Sequence, residues 1–207
     1  MPRSRYVVPL AHGGALALGE RTLIMGVLNV TPDSFSDGGR YLDPDRALER
    51  ALAIEAAGAD LLDVGGETTR PGAAPVSADE ERRRVIPVIE RLRGRVAIPI
   101  SIDTYKAEVA EAAVEAGAAM INDISGLQYD PALARVAARH GAALVLMHMR
   151  GRSADMYRFA HYADPVGEVA ADLVAALARA EAGGVPRASV LLDPGLGFAK
   201  RAEHSWR

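Results

Sequence analysis

Short apolar runs alternate with amphipathic stretches along most of this chain, and this alternation limits the possible folds more than any other feature. The apolar runs lie at Thr22–Leu28, Asp60–Val64, Ile98–Ile102, Ala119–Ile121, Ala142–Met147 and Ser189–Leu192. The stretches with helical periodicity lie at Asp45–Ala57, Ala78–Arg93, Lys106–Ala116, Pro131–His140 and Pro165–Ala182. Strands that alternate with helices of this length form βαβ units. The pattern therefore predicts one α/β domain over residues 1–207, built on a parallel sheet.

Polar residues at the ends of the apolar runs distinguish two parallel-sheet architectures. These residues are Asn29, Asp63, Asp103, Asn122, His148 and Asp193. The ends of many strands converge on one site in a (β/α)₈ TIM barrel, whereas an open doubly wound sheet concentrates its chemistry at one switch point. We therefore predict the TIM-barrel type. Only six strands are apparent before Arg207, so we expect an incomplete, C-terminally truncated barrel with two exposed edges.

The first residues predict a β-hairpin that precedes the barrel. Two short strands, Tyr6–Leu10 and Ala15–Leu18, flank the dipeptide Gly13-Gly14. A secretory signal peptide is the alternative, but its core needs roughly 7–15 uninterrupted apolar residues, and Pro9 and the glycines interrupt this run. No stretch reaches the roughly 18–20 apolar residues of a membrane span, so we expect no membrane association.

The composition excludes several classes of function. The formal net charge of −3 over 207 residues lacks the basic excess of nucleic-acid-binding proteins. The chain contains no cysteine, which excludes disulfides, thiolate nucleophiles and cysteine-ligated zinc. We expect a cytoplasmic protein that acts on small molecules.

A long polar loop follows the first predicted barrel strand. It begins at Asn29 and has the sequence Asn-Val-Thr-Pro-Asp-Ser-Phe-Ser-Asp-Gly-Gly, longer than a βα connection requires. Such a loop is either a functional lid or a surface excursion. An amide oxygen fixed at a strand end is a hard ligand of the kind that Mg²⁺ prefers.

A second loop, Asp63–Gly72, contains the sequence Asp-Val-Gly-Gly-Glu-Thr-Thr-Arg-Pro-Gly. Arg70 precedes a proline and is therefore held extended. A guanidinium in such a loop suits a carboxylate or phosphate, although a surface arginine beside a turn is the simpler alternative.

Three further polar residues end neighbouring predicted strands: Asp103, Asn122 and Asp193. A carboxylate at the end of a buried strand is costly unless it is paired. Asp103 alone could be a helix N-cap, but three such groups together indicate a binding site. After Asp193, glycines form a turn that we expect to present Phe198 and Lys200, while the histidines show no zinc-binding spacing.

Taken together, these segments resemble dihydropteroate synthases. The loops at 29–39 and 63–73 resemble the two signature loops of that family. The match continues, in the same order, through Ile-Ser-Ile-Asp-Thr, Ile-Asn-Asp-Ile, Leu-Met-His-Met and Leu-Asp-Pro-Gly-Leu-Gly-Phe, and runs from about Leu18 to His204. Thr68 replaces the serine more usual in the second loop.

The resemblance implies a transferase of folate biosynthesis that joins a pterin diphosphate to 4-aminobenzoate. It implies that the pterin contacts Asp103, Asn122, Met147 and Asp193, with Lys200 nearby, and that Asn29 holds Mg²⁺ at the diphosphate. It places 4-aminobenzoate beside Thr69, Arg70, Pro71, Phe35 and Phe198. Asp103, Arg70 and Asn29 are the implied catalytic residues. Catalysis in such a substitution consists mainly of positioning and leaving-group stabilisation.

The resemblance also implies parts that follow the sixth strand in the family. These are a Ser-Arg-Lys segment, an Arg-x-His segment and the helices that form most of a homodimer contact, so we expect reduced activity and weaker dimerisation of this chain. Two alternatives are a non-catalytic pterin-binding module and the pterin-binding domain of a corrinoid-dependent methyltransferase. The 63–73 loop argues against the methyltransferase, because that loop belongs to the 4-aminobenzoate side.

Overall fold

A small antiparallel hairpin opens the chain in the computed structural model, which describes residues 4–31, 43–70 and 74–205. Strands β1 (Tyr6–Pro9) and β2 (Ala15–Leu18) pair in register and are joined by a 3₁₀ turn. Nε2 of His12 lies 3.1 Å from the carbonyl oxygen of Val114 and ties this turn to the body of the domain. The predicted hairpin is confirmed.

Six parallel strands form the main sheet, and their spatial order follows the chain order. They are β3 (Met25–Asn29), β4 (Leu61–Gly65), β5 (Ile100–Asp103), β6 (Met120–Asp123), β7 (Ala143–Met147) and β8 (Val190–Asp193). A doubly wound sheet would reverse its order at a switch point, whereas a barrel wall adds each strand beside the last. The sheet is therefore an incomplete TIM-barrel wall of six strands.

Helices connect the strands on the outer side of this wall. The α-helices are α1 (Pro44–Ala56), α2 (Ala78–Leu92), α3 (Ala107–Ala116), α4 (Ala132–His140), α5 (Pro165–Ala182) and the short α6 (Ala202–Ser205). Helix α2 begins where the Ser77 side chain accepts a hydrogen bond from the amide of Glu80, an N-cap. Helix α4 ends at Gly141, whose left-handed conformation (φ +64°) suits glycine.

The two faces of the sheet are buried by different parts of the chain. Leu28, Val64 and Ile102 on the outer face pack in the core beneath the helices. On the inner face, Leu61 and Met120 near the start of their strands pack against the hairpin. The hairpin therefore covers the N-terminal end of the wall, and polar residues lie at the C-terminal end. Within the described ranges, no helix is long and apolar enough to cross a membrane.

Candidate active site

Strand register brings three of the predicted site residues onto one level of the wall. Asn29 pairs with Gly65, Gly65 with Asp103, and Asp103 with Asn122. Paired residues in a parallel sheet point to the same face, so these side chains share the inner face at its C-terminal end. The strands alone bring these side chains together, and we call Asn29, Asp103 and Asn122 the polar row.

Met147 and Asp193 extend the same face one level further along the strands. They pair with each other across β7 and β8. Asn122 pairs with Val145, two residues before Met147, and side chains two residues apart share a face. The structure thus brings Asn29, Asp103, Asn122, Met147 and Asp193 onto one surface. Their contacts with substrates remain predictions.

Gly65 makes room for the Asp103 carboxylate. A Cβ atom at position 65 would lie 3.3 Å from Oδ2 of Asp103, tighter than ordinary van der Waals contact. Asp103 is partly exposed, which leaves it accessible to a ligand. Partial burial, together with the neighbouring carboxylates of Asp63 and Glu81, raises the pKa of Asp103 well above its ordinary value.

Asp63 lies deeper than sequence reasoning placed it. Strand β4 continues to Gly65, so Asp63 stands one level below the row instead of at the strand end. Its Oδ2 accepts a hydrogen bond of 2.9 Å from Nδ2 of Asn122, and its Oδ1 has no partner among the described residues. Burial raises the pKa of Asp63. Asp63 therefore fixes the orientation of the Asn122 amide, a role that the sequence pattern did not reveal.

The turn after β8 fixes Asp193 but does not present Lys200. Oδ1 of Asp193 accepts a hydrogen bond of 2.7 Å from the amide of Gly195. Lys200 is only 4% exposed, so the expectation that the turn presents this side chain to the surroundings was wrong. The turn closes back on the residues after β7, and the lysine fills the space between them.

The buried Lys200 amine is surrounded by hydrogen-bond acceptors. Its Nζ lies 2.7 Å from Nδ1 of His148 and 3.1 Å from the carbonyl oxygens of Gly195 and Phe198. Burial lowers the pKa of Lys200 to about 8. The amine holds the 195–200 turn against the end of β7.

Phe198 belongs to an apolar cluster at the C-terminal end of the wall, which is the mouth of the incomplete barrel. Its members come from the end of β7 and from the loops after β5, β6, β7 and β8, and are Tyr105, Ile124, Tyr129, Met147, Met149, Met156, Phe198 and Ala199. Rings of Tyr105 and Tyr129 meet edge to face with centroids 5.1 Å apart. This mouth cluster forms an apolar surface beside the polar row, as is common in small-molecule sites.

The loop after β4 carries the remaining predicted residues. Arg70 is exposed, and its amide donates a hydrogen bond to Oγ1 of Thr68 at 3.4 Å. Thr69 is partly exposed beside it. Pro71 and Phe35 lie outside the described residues.

The donor that sequence reasoning assigned to Mg²⁺ is a single amide. Asn29 ends β3 and is exposed at the level of Asp103, so its oxygen fits an ion that takes its other ligands from water and a substrate. In the part of the chain that the structure describes, the grouping of His, Asp and Glu side chains close enough to share an ion is Glu111, Glu115 and His140. It lies on α3 and α4, on the outer side of the wall.

The comparisons with known proteins agree on one family. A family model described as "Pterin binding enzyme" matches residues 25–207. Dihydropteroate synthase from Bacillus subtilis is 51% identical over 186 residues, which cover 90% of this chain and 63% of the relative. The Escherichia coli enzyme is 45% identical over 183 residues, covering 88% and 64%. The chain thus spans somewhat less than two thirds of these relatives.

Solved structures give the same result. Dihydropteroate synthase from Xanthomonas albilineans with 4-aminobenzoic acid superimposes with a TM-score of 0.86 at 46% identity, covering 96% of this chain and 71% of that one. The Burkholderia cenocepacia enzyme complexed with 7,8-dihydropteroate gives a TM-score of 0.80 at 40% identity, covering 95% and 65%. At these identities the similarity extends beyond the fold to the sequence itself.

Proposed function

The chain belongs to the family of pterin-binding enzymes, and from this membership we propose that it carries the pterin site of a dihydropteroate synthase. The proposed reaction joins (7,8-dihydropterin-6-yl)methyl diphosphate to 4-aminobenzoate. The observation that carries the proposal is the inner-face surface formed by Asp103, Asn122, Met147 and Asp193.

These residues match the chemistry of a pterin ring. Its amino group and ring N–H form a pair of donors that one carboxylate can accept together, and we assign this role to Asp103. The Asn122 amide both donates and accepts, and Asp63 orients it. Asp193 offers a second carboxylate, and Met147 lies beside it as an apolar contact for the ring face.

We place the arylamine at the mouth, between the polar row and the loop after β4. Arg70 is an exposed cation suited to the carboxylate of 4-aminobenzoate. Phe198, in the mouth cluster, offers an apolar surface for its ring. Thr69 adjoins Arg70 in the same loop, and Pro71 and Phe35 complete the proposed set.

In the proposed reaction the bond between the pterin methylene carbon and the diphosphate oxygen breaks, and a bond to the arylamine nitrogen forms. The nitrogen then loses a proton to solvent. An arylamine is already a neutral nucleophile, so this chain's residues act mainly by holding the two substrates in line. Asn29 would hold Mg²⁺, which when bound supplies positive charge to the leaving diphosphate.

We also propose a cytoplasmic location. We propose a homodimer for the full-length family and weaker dimerisation for this chain. Small charged substrates and the absence of cysteine support the location. Sedimentation of the purified protein decides the oligomeric state.

Two measurements test the proposed function. Calorimetry with the pterin diphosphate measures binding to the chain itself, and release of dihydropteroate from labelled 4-aminobenzoate measures turnover. Turnover is compared for the chain alone and for the chain extended by the C-terminal third of the Bacillus subtilis relative. We expect pterin binding by both proteins and turnover by the extended one. A folded chain that fails to bind the pterin would overturn the proposal.

A further inference from the structure

Glu67 closes the base of the loop that carries Thr69 and Arg70. Its Oε2 accepts a hydrogen bond of 3.2 Å from the amide of Val76, nine residues further along the chain. Its Oε1 accepts a hydrogen bond of 2.9 Å from the Tyr105 hydroxyl. One carboxylate therefore joins both ends of the loop to the residues that follow β5.

Lys106 holds this carboxylate in place, and we call the pair of Glu67 and Lys106 the anchor. Its Nζ lies 2.5 Å from Oε2 of Glu67 and also pairs with Glu81 of helix α2. The Lys106 side chain is 15% exposed, so water screens these pairs weakly. The same amine lies 4.5 Å from the centre of the Tyr105 ring. The lysine thus contacts the loop after β4, helix α2 and the mouth cluster.

Glu81 of helix α2 holds Lys106 from the protein interior. It is fully buried, and its Oε1 has no hydrogen-bond partner within the described ranges. A Cβ atom at position 66 would lie 2.7 Å from Val85 and 3.0 Å from Glu81, so glycine there lets the loop pass directly over α2. Arg84 of the same helix donates a hydrogen bond of 2.9 Å to the carbonyl oxygen of Gly66.

The position of Lys106 along the chain connects this ion pair to the proposed site. Lys106 follows Asp103 by three residues, so the segment after β5 serves both substrates of the proposed reaction. Asp103, the last residue of β5, faces the pterin side, and Lys106 holds the loop of the arylamine side. Residues 104 and 105 link them without a flexible insertion.

We propose that Lys106 is a positioning residue that acts through Glu67 to hold Arg70 at the arylamine site. This rests on the proposed function, because the role of Arg70 toward an arylamine does. Lys106 itself touches neither substrate in this scheme. Loss of the anchor should displace the loop after β4 and leave the strand-borne pterin contacts in place.

The test compares Lys106→Met and Glu67→Gln with the wild type. All three are prepared as the chain extended by the C-terminal third of the Bacillus subtilis relative, for which we expect turnover. We expect the KM for 4-aminobenzoate to rise about tenfold or more, since small displacements of a positioning group can cost up to about a hundredfold. The Kd of the pterin should stay within about twofold. Lys106→Arg keeps the cation and should restore most of the arylamine KM.

The control is Arg83→Met, which removes an exposed ion pair with Glu80 on helix α2. It should change neither the KM for 4-aminobenzoate nor the Kd of the pterin. Glu67→Gln keeps the side-chain size and guards against failure of Lys106→Met to fold. An unchanged arylamine KM, or an equal loss of pterin affinity, would overturn the positioning role.

Hydrogen exchange separates this proposal from the proposed function. In the unextended chain, Glu67→Gln and Lys106→Met should speed exchange of the Val76 amide about tenfold or more, with no change at β5 or β6. Absence of turnover in the extended wild type would refute the proposed function, while unchanged exchange at Val76 would refute the anchor.

Discussion

The Nζ atom of Lys200 lies 2.7 Å from Nδ1 of His148, and both side chains are almost completely buried. An ammonium has no acceptor, so Nδ1 must supply a lone pair and the histidine must be neutral. The proton then resides on Nε2, which lies 3.1 Å from Oδ2 of Asp172. Burial and the neighbouring lysine lower the pKa of His148, in agreement with this tautomer.

The burial of Lys200 predicts an unusual pH dependence of stability. The pKa of Lys200 falls from 10.5 to about 8 in the folded protein. Between these values the unfolded chain holds a proton that the folded chain has lost, so the free energy of unfolding should rise with pH in this window. Below pH 8 both states are protonated, and the dependence vanishes.

Lys200→Met isolates the effect. Urea unfolding at intervals between pH 7.5 and 10 should show the wild type gaining stability relative to the variant, by at most about 3 kcal/mol. The difference between the two curves cancels the titration of all groups that are unaffected by the substitution. Parallel curves would show that the amine titrates normally.

Two glycines of the same turn predict very different costs of substitution. Both have positive φ, +65° at Gly195 and +82° at Gly197. A Cβ atom at position 195 would lie 2.2 Å from the carbonyl oxygen of His148, whereas nothing lies within 4 Å of one at position 197. Gly197→Ala should therefore cost about 1 kcal/mol, from backbone strain alone.

Gly195→Ala should cost about 3 kcal/mol or more, because backbone must move as well. Thermal or urea unfolding of the two variants gives the comparison directly. Gly197→Ala is the matched control, since it carries the same strain without the collision. Equal costs would mean that the turn adapts freely.

The Asn122–Asp63 hydrogen bond should be needed for stability as well as for binding. Asn122→Ala leaves the buried Asp63 without this donor and should lower the free energy of unfolding by about 1–3 kcal/mol. Asp63→Asn in the Asn122→Ala background removes the buried charge and should recover part of the loss. A double-mutant cycle by urea unfolding measures the coupling, and a coupling near zero would contradict the inferred orientation of the amide.

The strand order and the shared face of the polar row were predictable from the sequence, because both follow from local periodicity. A run of apolar residues ended by Asp103 or Asn122 specifies the strand and the end of the wall at which the side chain lies. Exact strand ends were less predictable. Strand β4 runs two residues past Asp63, which moves this carboxylate from the rim to a deeper level.

Contacts between loops were not predictable in this way. Lys200 meets His148 across 52 residues, and Lys106 meets Glu67 across 39, with no periodic pattern to indicate either contact. A glycine-rich turn has similar local signals whether its lysine points outward or inward. Burial of Lys200 depends on the shape of the β7 end, which only the folded chain provides.

Magnesium should matter only through the diphosphate. Among the described residues the proposed site offers Asn29 as its protein ligand, so the wild type should bind Mg²⁺ weakly alone and more tightly with pterin diphosphate present. Calorimetry of the diphosphate with and without EDTA should show about a tenfold or larger loss of affinity on chelation. In Asn29→Ala the effect of EDTA should be much smaller. A pterin alcohol, which lacks the diphosphate, is the control ligand and should be insensitive to EDTA.

Binding of the pterin should release a proton from Asp103. Burial and the nearby carboxylates raise the pKa of Asp103, so the empty site keeps its proton to a higher pH than an ordinary aspartate. The pterin donors favour the ionised carboxylate, hence affinity should rise with pH, by at most about tenfold per pH unit. Calorimetry in two buffers of different ionisation enthalpy counts the protons released. Asp103→Asn has no proton to lose and corrects for titration of the pterin itself. If wild type and Asp103→Asn released equal numbers of protons, the carboxylate would already be ionised before the pterin binds. Burial and the charges of Asp63 and Glu81 would then not control the protonation of Asp103.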